Sequence, residues 1–529
     1  MERYVRVLFV VYLITLVWVL YLNSLPQTIH IRHSSEGLDI IGINNKAPPV
    51  EVKNAQKVPN VDSFENSLDK VILPKESQFS KSAKVRIING SFKTVKNESN
   101  GLNSGMVSTM HPATPESERR KSNSSHGAHD DVLFNATLLE LYHQSTMKYR
   151  QSGICSGLLM NNSRSLAQAR NFSQSFDRDF HLDLKVFPTI TKNCDQYKSK
   201  RGFMEKHSTQ EELEFPLAFS ILTYDNIEQL ERMIHLMYTP QNVYCIHVDN
   251  KSSEYFKNAV RSITKCFSNV FVASKLETIV YASITRLQAD VNCMSDLLQR
   301  KEKWRYLLNF AASEMPLKSN IEMVQTLKLF HGANDIHEVF ANRVKHRYLY
   351  RYVIVNNHIQ RGRGFLGPPP FNLTIVKGQA YNIFSREFVD FSMNNEKARR
   401  FLKWCGDTYS PDEHYWATLN DLYHNPFLNT PGGFKGHPDT KMYVTRHINW
   451  RQSFDRCYGE YVRGICVFSY GDLPLLKRKH HFGTNKFDLR KDPIAYSCME
   501  ELLSYRTQNP TPPDSKQWTN FNFIKDSNT

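Results

Sequence analysis

From Pro216 onward the chain alternates short, unbroken apolar runs with longer segments whose apolar residues recur at helical spacing, and few architectures accept that pattern. "PLAFSILTY" (216–224) precedes "NIEQLERMIHLMY", "NVYCIHVD" (242–249) precedes "EYFKNAVRSITKCF", and "NVFVAS" (269–274) precedes "ASITRLQADVNCMSDLLQ"; "RYLLNFAAS" and "NIEMVQTLKLF" repeat the alternation. Runs of this length that are apolar throughout read as strands buried on both faces. That requires an α/β fold: a mostly parallel sheet flanked by helices. Such sheets bind ligands beyond the carboxyl ends of their strands, which points to Asp249 at the end of "HVD". No G-x-G-x-x-G or G-x-x-x-x-G-K-[ST] follows any of these strands, so dinucleotide oxidoreductase and P-loop chemistry lack support. A nucleotide-binding domain of another kind is expected.

A second tract, "TIVKGQAYNIFSREFVDFS" (374–392), reads as a strand turning into a helix at Ser385. A further helix is expected to open at Ser410 in "TYSPDEHYWATL", where Ser410, Pro411 and Glu413 have the spacing of a capping box with Pro at the first helical position. By pattern alone Glu413 closes a helix start. Regular order is expected from near Glu214, and residues 506–529 read as a loose tail.

The N-terminus sets the compartment. Arg3 and Arg6 precede a charge-free apolar run from Val7 to Leu22, and extension to Leu25 gives just enough length to span a bilayer. "NSLPQTIH" offers no small-residue cleavage site, so an uncleaved anchor is expected rather than a signal peptide. Residues 1–6 then stay cytoplasmic, 7–25 span the membrane, and the rest is lumenal. Residues 26–140 are rich in Ser, Asn, Lys and Pro without sustained periodicity, and read as a largely disordered stem; 141–505 form the folded domain. Sequons begin at Asn89, Asn97, Asn123, Asn135, Asn161, Asn171, Asn250 and Asn372, the first six of them crowded between 89 and 171. A lumenal domain excludes nucleic acid, so the formal charge of +15 must serve another partner. Nine cysteines fit an oxidising compartment, and the odd count leaves at least one outside intrachain pairs. No C-x-x-C occurs, and spacing does not assign the bridges.

A lumenal α/β enzyme of this kind suggests a sugar transferase using a nucleotide sugar. The one D-x-D, Asp177-Arg178-Asp179, lies ahead of the strand–helix pattern and reads as a solvated segment, so no metal site is expected. Fixed cations would then stabilise the departing diphosphate. The block from Arg463 to Lys486 supplies Arg463, Lys477, Arg478, Lys479 and Lys486, with His480 and His481; most read as a solvated basic face. Arg463 differs, standing directly before the apolar strand "GICVF", where a sheet end would hold its charge.

At these residues the chain resembles the core 2 β-1,6-N-acetylglucosaminyltransferase family of Golgi enzymes. The segments "EFPLAFSILTYDNIEQLERMI", "MYTPQNVYCIHVDNKS", "CFSNVFVASKLETIVYAS", "DTYSPDEHYWATL" and "KRKHHFGTNKFD" carry it, over about Cys155 to Leu503. The resemblance implies a glycosyltransferase-A type fold in a type II Golgi membrane protein, a UDP-sugar donor, inversion at the anomeric carbon, and no cofactor or metal. It makes Glu413 the general base toward an acceptor 6-hydroxyl. It places Arg463 and Lys486 on the diphosphate, and Asp249 and Tyr281 at the UDP site. It pairs Cys155 with Cys498, Cys194 with Cys266, Cys245 with Cys293 and Cys457 with Cys466. Cys405 is left free, and Ala311 stands where the family has its free cysteine. On the acceptor side Lys345 and Arg347 stand closest to the family's basic residues, with the alignment slipped by one residue, and its aromatic platform falls near Trp450, which is offset, or His447. A glycan at Asn250, beside Asp249, would obstruct the donor, so that sequon is expected to be unused or its glycan to point away. The implied reaction is transfer of GlcNAc to the GalNAc of Galβ1-3GalNAc. Transfer of another UDP-hexose such as glucose, protein xylosylation on serine, and a catalytically silent glycan-binding protein are the alternatives.

Overall fold

A computed structural model describes residues 87–88, 91–92, 126–150, 153–174, 183–204 and 208–525. The chain divides into two units, Met1–Glu116 and Ser117–Thr529. In the first, Ile87–Ile88 and Ser91–Phe92 pair as a short antiparallel hairpin. The anchor at 7–25, most of the stem and Asp177–Asp179 lie outside the described residues. No helix among the described residues is long and apolar enough to cross a membrane.

The second unit is built on a five-stranded sheet. Leu217–Thr223 (β1), Val243–Val248 (β2), Val270–Val272 (β3) and Tyr306–Ala311 (β4) are parallel, with β1 central between β2 and β4. A fifth strand at the edge, Ile383–Ser385, runs antiparallel to β4. Every residue of β1 and β2 is buried, as an apolar run between two helical layers requires. Ser385 caps the helix Arg386–Asn394 by accepting from the Phe388 N–H, the strand-to-helix switch expected there.

The polar residues within these strands have a purpose. Ser220 on β1 and Asn309 on β4 both donate to Asp290 of the helix Ile284–Leu298, at 3.1 and 3.2 Å, and Asp290 in turn holds Arg286 at 2.6 Å. A buried carboxylate is tolerated because each oxygen is paired.

A smaller sheet joins Glu314–Pro316 (β5), Arg446–Ile448 and Gly483–Asn485, with the last strand central. Two hairpins form two-stranded sheets of their own. Tyr350–Val355 (β6) pairs with His358–Phe365 (β7), and Glu460–Val462 pairs with Ile465–Val467. The spacing G-x-G-x-x-G does occur at 362–367, but on β7 and running into Pro368, so no helix N-terminus meets it.

Two boundaries differ from expectation. A helix spans His126–Met147, and Leu139 and Tyr142 enter the main core, so folded structure begins before residue 141 and well before Glu214. Tyr142 donates to Glu231, which also pairs with Arg201, and these long-range contacts order a segment whose composition looked stem-like. At the other end, Ser515–Thr519 and Asn522–Lys525 are helical, and Trp518, Phe521, Phe523 and Ile524 pack into the same core. The 506–529 segment is thus no loose tail over these residues. Its apolar groups are few but large, and aromatic burial outweighs a polar average.

Candidate active site

The carboxyl ends of β1, β2 and β4 open into a cavity of about 350 Å³ lined by Asp249, Arg286, Tyr381 and Lys486 among others. Asp249 follows β2 directly, and its carboxylate accepts from the Lys251 and Ile279 N–H groups at 3.0 and 3.2 Å. Lys486 follows Gly483–Asn485. Its carbonyl accepts from the Phe468 N–H, and Phe487 donates to the Ser313 carbonyl. Gln229 locks the next residues by donating to the Phe487 carbonyl and accepting from the Leu489 N–H. Lys486 is therefore fixed at both flanks. Burial, and then the nearby Arg463, push its ammonium pKa below the usual lysine value.

Arg463 is not held at a sheet end as its sequence position suggested. It occupies the exposed turn of the Glu460–Val467 hairpin, with φ +54° followed by Gly464 at +80°. A two-residue turn with both φ positive matches the strand twist, and the left-handed conformation costs a non-glycine residue roughly 1 kcal/mol. The Cys457–Cys466 disulfide and the Arg451 N–H bonded to the Gly464 carbonyl hold the turn in place. The guanidinium lies 5.6 Å from the ring centroid of Tyr281, itself 72 % exposed. Arg463, Lys486, Asp249 and Tyr281 thus gather at one cavity and its rim. Of the remaining basic block, Lys479 pairs with Asp455 at 2.8 Å and Arg478 is exposed.

Glu413 is not a capping residue. Ser410 has φ +49° and makes no side-chain cap bond; Pro411–Glu413 form a single tight turn, and the helix begins only at Tyr415. Proline and the left-handed serine compress this turn, which frees the carboxylate for other partners. Oε2 lies 2.5 Å from Arg347 Nη1 and 3.7 Å from Lys377 Nζ, with the side chain about one-third exposed. These two cations, not a helix dipole, are the charges that face the carboxylate. Glu413 does not line the donor cavity itself. The adjoining loop links them, because the Ser410 N–H donates to the Ala282 carbonyl, next to Tyr281.

Of the acceptor-side residues, Arg347 is engaged by Glu413 and Lys345 is exposed. Trp450 is 37 % exposed and bridges to Ile465 of the hairpin that carries Arg463. His447 cannot be an aromatic platform: it is buried against Phe468 and His481, and burial drops its pKa to about 4.

Three residues that the sequence did not single out complete the arrangement. Lys377 is the cation beside Glu413; burial lowers its pKa while Glu413 raises it. Arg286 carries the Asp290 tether into the cavity. A cation in the first turn of a helix opposes the helix dipole, and that was the available signal. Asp412 is buried beside Glu413, and burial raises its pKa to about 6 against the opposing field of Arg286.

The four disulfides join the pairs that the resemblance implied, and Cys405 is free and buried. Among the described residues, Cys457, Cys466 and Asp472 are the one cluster with metal-ligand spacing, and its sulfurs are committed to a disulfide. The sequon residues Asn161, Asn171 and Asn372 are exposed and Asn135 is half-buried, while Asn89, Asn97 and Asn123 fall outside the described residues. Asn250 bonds Lys257 and Thr278, and Ser252 of the same sequon donates to the carbonyl of the cavity-lining Tyr224. Site-specific glycopeptide mass spectrometry of the full-length chain is expected to find Asn372 occupied and Asn250 bare. A glycan found on Asn250 would have to point away from the donor cavity, and occupancy together with wild-type UDP affinity would refute the expectation that it obstructs the donor.

A mostly parallel sheet, a cavity of mixed charge at its strand ends and a carboxylate near it form an arrangement that suits a glycosyltransferase. Residues 217–477 match the family model described as "Branch: Core-2/I-Branching enzyme". The chain is 38% identical over 382 residues to human β-1,3-galactosyl-O-glycosyl-glycoprotein β-1,6-N-acetylglucosaminyltransferase 3, covering 69% of this chain and 86% of the relative. The mouse protein of the same name is 39% identical over 378 residues, covering 69% of this chain and 86% of the relative. A bovine herpesvirus 4 (strain DN-599) β-1,3-galactosyl-O-glycosyl-glycoprotein β-1,6-N-acetylglucosaminyltransferase is 38% identical over 382 residues, 69% of this chain and 85% of the relative. The chain belongs to the core-2/I-branching enzyme family.

Proposed function

We propose that the chain transfers GlcNAc from UDP-GlcNAc, with inversion and without metal, to the 6-hydroxyl of GalNAc in Galβ1-3GalNAc O-glycans. The observation that carries this reading is Glu413 held by Arg347 and Lys377 beside the Asp249–Lys486 cavity. In the reaction the acceptor oxygen attacks the anomeric carbon as the bond to the β-phosphate oxygen breaks. Glu413 takes the hydroxyl proton, and UDP leaves with the electron pair. Arg463 and Lys486 neutralise the charge developing on the diphosphate, which is the work a divalent cation does elsewhere. Arg286 and Asp249 line the nucleotide side; Lys345 and Trp450 stand toward the acceptor. The names of the relatives support the donor and linkage. The apolar stretch 7–25 with Arg3 and Arg6 before it supports a type II Golgi anchor, with the catalytic domain lumenal.

The test is incubation of the detergent-solubilised full-length chain with several UDP-sugars and core 1 acceptors, with and without EDTA, the linkage being read by NMR. A β-1,6 GlcNAc product formed equally in chelator is expected. A glucosylated or xylosylated product, no transfer at all, or loss of activity in EDTA would overturn the corresponding part of the reading.

A further inference from the structure

We propose that the β6–β7 hairpin is a docking edge for an extended, acidic stretch of the acceptor polypeptide, which rests on the reading of the chain as an O-glycan branching enzyme. The hairpin is fastened at its base to the segment that leads into Glu413. The Tyr352 N–H donates to the Asp407 carbonyl, Arg351 pairs with Asp407 at 3.0 Å, and the Tyr409 N–H donates to the Arg347 carbonyl. The Tyr352 and Tyr409 rings lie 5.3 Å apart. A polypeptide whose glycan reaches Glu413 therefore passes close to β6 and β7.

Beyond that base the hairpin forms a two-stranded sheet of its own, so β7 presents an outer edge that no other strand covers among the described residues. An uncovered edge offers main-chain donors and acceptors to an added strand. Val353, Ile354 and Val355 are 40–45% exposed and Phe365 is 77% exposed. Eight residues of β7 at about 3.3 Å each span roughly 26 Å, room for an extended peptide of about seven residues.

Charge selects the occupant. From residue 339 to 366 the sequence holds no Asp or Glu, but it holds Arg343, Lys345, Arg347, Arg351, Arg361 and Arg363. Arg347 and Arg351 are taken by Glu413 and Asp407. Arg361 stacks on Tyr350, and among the described residues neither it nor Arg363 has a carboxylate within ion-pair distance. Arginines can simply guard an edge against pairing. That role leaves Phe365, 77% exposed on β7 itself, unexplained, whereas a strand added to this edge becomes its cross-strand neighbour.

The test compares three core 1 acceptors with the full-length wild-type chain: the free disaccharide, a glycopeptide flanked by Asp and Glu, and one flanked by Ser and Gly. The expected kcat/KM is about tenfold higher for the acidic glycopeptide, falling as salt is raised. Arg361→Glu/Arg363→Glu, or Arg363→Ala alone at its exposed site, is expected to erase that preference while the disaccharide rate stays unchanged. Equal kcat/KM for all three acceptors, or a preference that survives the substitutions, would overturn the inference but leave the branching activity standing. Failure to use even the disaccharide would remove the enzymatic reading and this one together. Binding of the wild-type chain's hairpin charge to phosphatidylserine vesicles, lost in the double variant with no change on glycopeptides, would assign the surface to lipid and reject the peptide.

Discussion

Glu413→Gln lowers kcat by about 10²–10⁴-fold and leaves UDP affinity within about twofold of the wild type. Gln keeps the shape of the side chain and one acceptor oxygen but has no basic site for the acceptor proton. The donor side should not notice, since Asp249 and Lys486 line a cavity of which Glu413 is no part. Folding should not account for the loss either. Both ion pairs of Glu413 involve partly exposed side chains, so their removal costs at most ~1 kcal/mol of stability. Glu413→Asp provides the complementary control: it keeps the charge but withdraws it by one methylene, and a displacement of that order costs about 10²-fold. Calorimetry with UDP and initial rates on a core 1 acceptor separate these effects. A Gln variant with near wild-type kcat, or one that loses UDP binding in parallel, would remove Glu413 from the role of base.

The sequence carried the sheet and the strand-end position of Asp249 because both depend on local pattern. Uniform apolar runs such as Leu217–Thr223 have few places to go other than a doubly covered sheet. What surrounds Glu413 depends on contact between distant segments, and no local rule supplies it. The same tetrapeptide that spells a capping box adopts a left-handed serine before Pro411 and a single tight turn, and Arg347 and Lys377, distant in sequence, take the freed carboxylate. Arg463 carries a local signal of its own. Two short runs rich in β-forming residues, "YV" and "ICV", separated by Arg-Gly with its glycine in the turn, suit a two-residue hairpin, and the arginine belongs to that turn rather than to a sheet end. The segment 515–525 has no periodic pattern to show its burial, which comes from a handful of aromatic residues, and Trp518 packs against the distant Phe330 and Phe482. Pairing of the disulfides became readable only through resemblance, as spacing leaves many connectivities open.

Removing Arg463 or Lys486 is expected to cost about 10²–10³ in kcat each, with the double substitution to Ala costing less than the product of the two. The two cations sit close enough that Arg463 helps depress the Lys486 pKa, a repulsion the free enzyme bears and a bound diphosphate relieves. That relation has a direction in pH. In the free enzyme Lys486 loses its proton below the usual lysine range near 10.5, so kcat/KM for the donor should fall as pH rises through that lowered value. Two phosphates placed between the cations restore the proton affinity of the ammonium, so the alkaline limb of kcat should lie at higher pH than the limb of kcat/KM. Lys486→Met abolishes the separation, and Arg463→Ala moves the kcat/KM limb upward because one source of repulsion is gone. Lys486→Arg does not rescue the rate, since a planar fork cannot take the place of a compact ammonium fixed at both flanks by Phe468 and Gln229 contacts. Coincident alkaline limbs in the wild type, or full activity in either single variant, would mean that these cations do not carry the charge of the departing nucleotide.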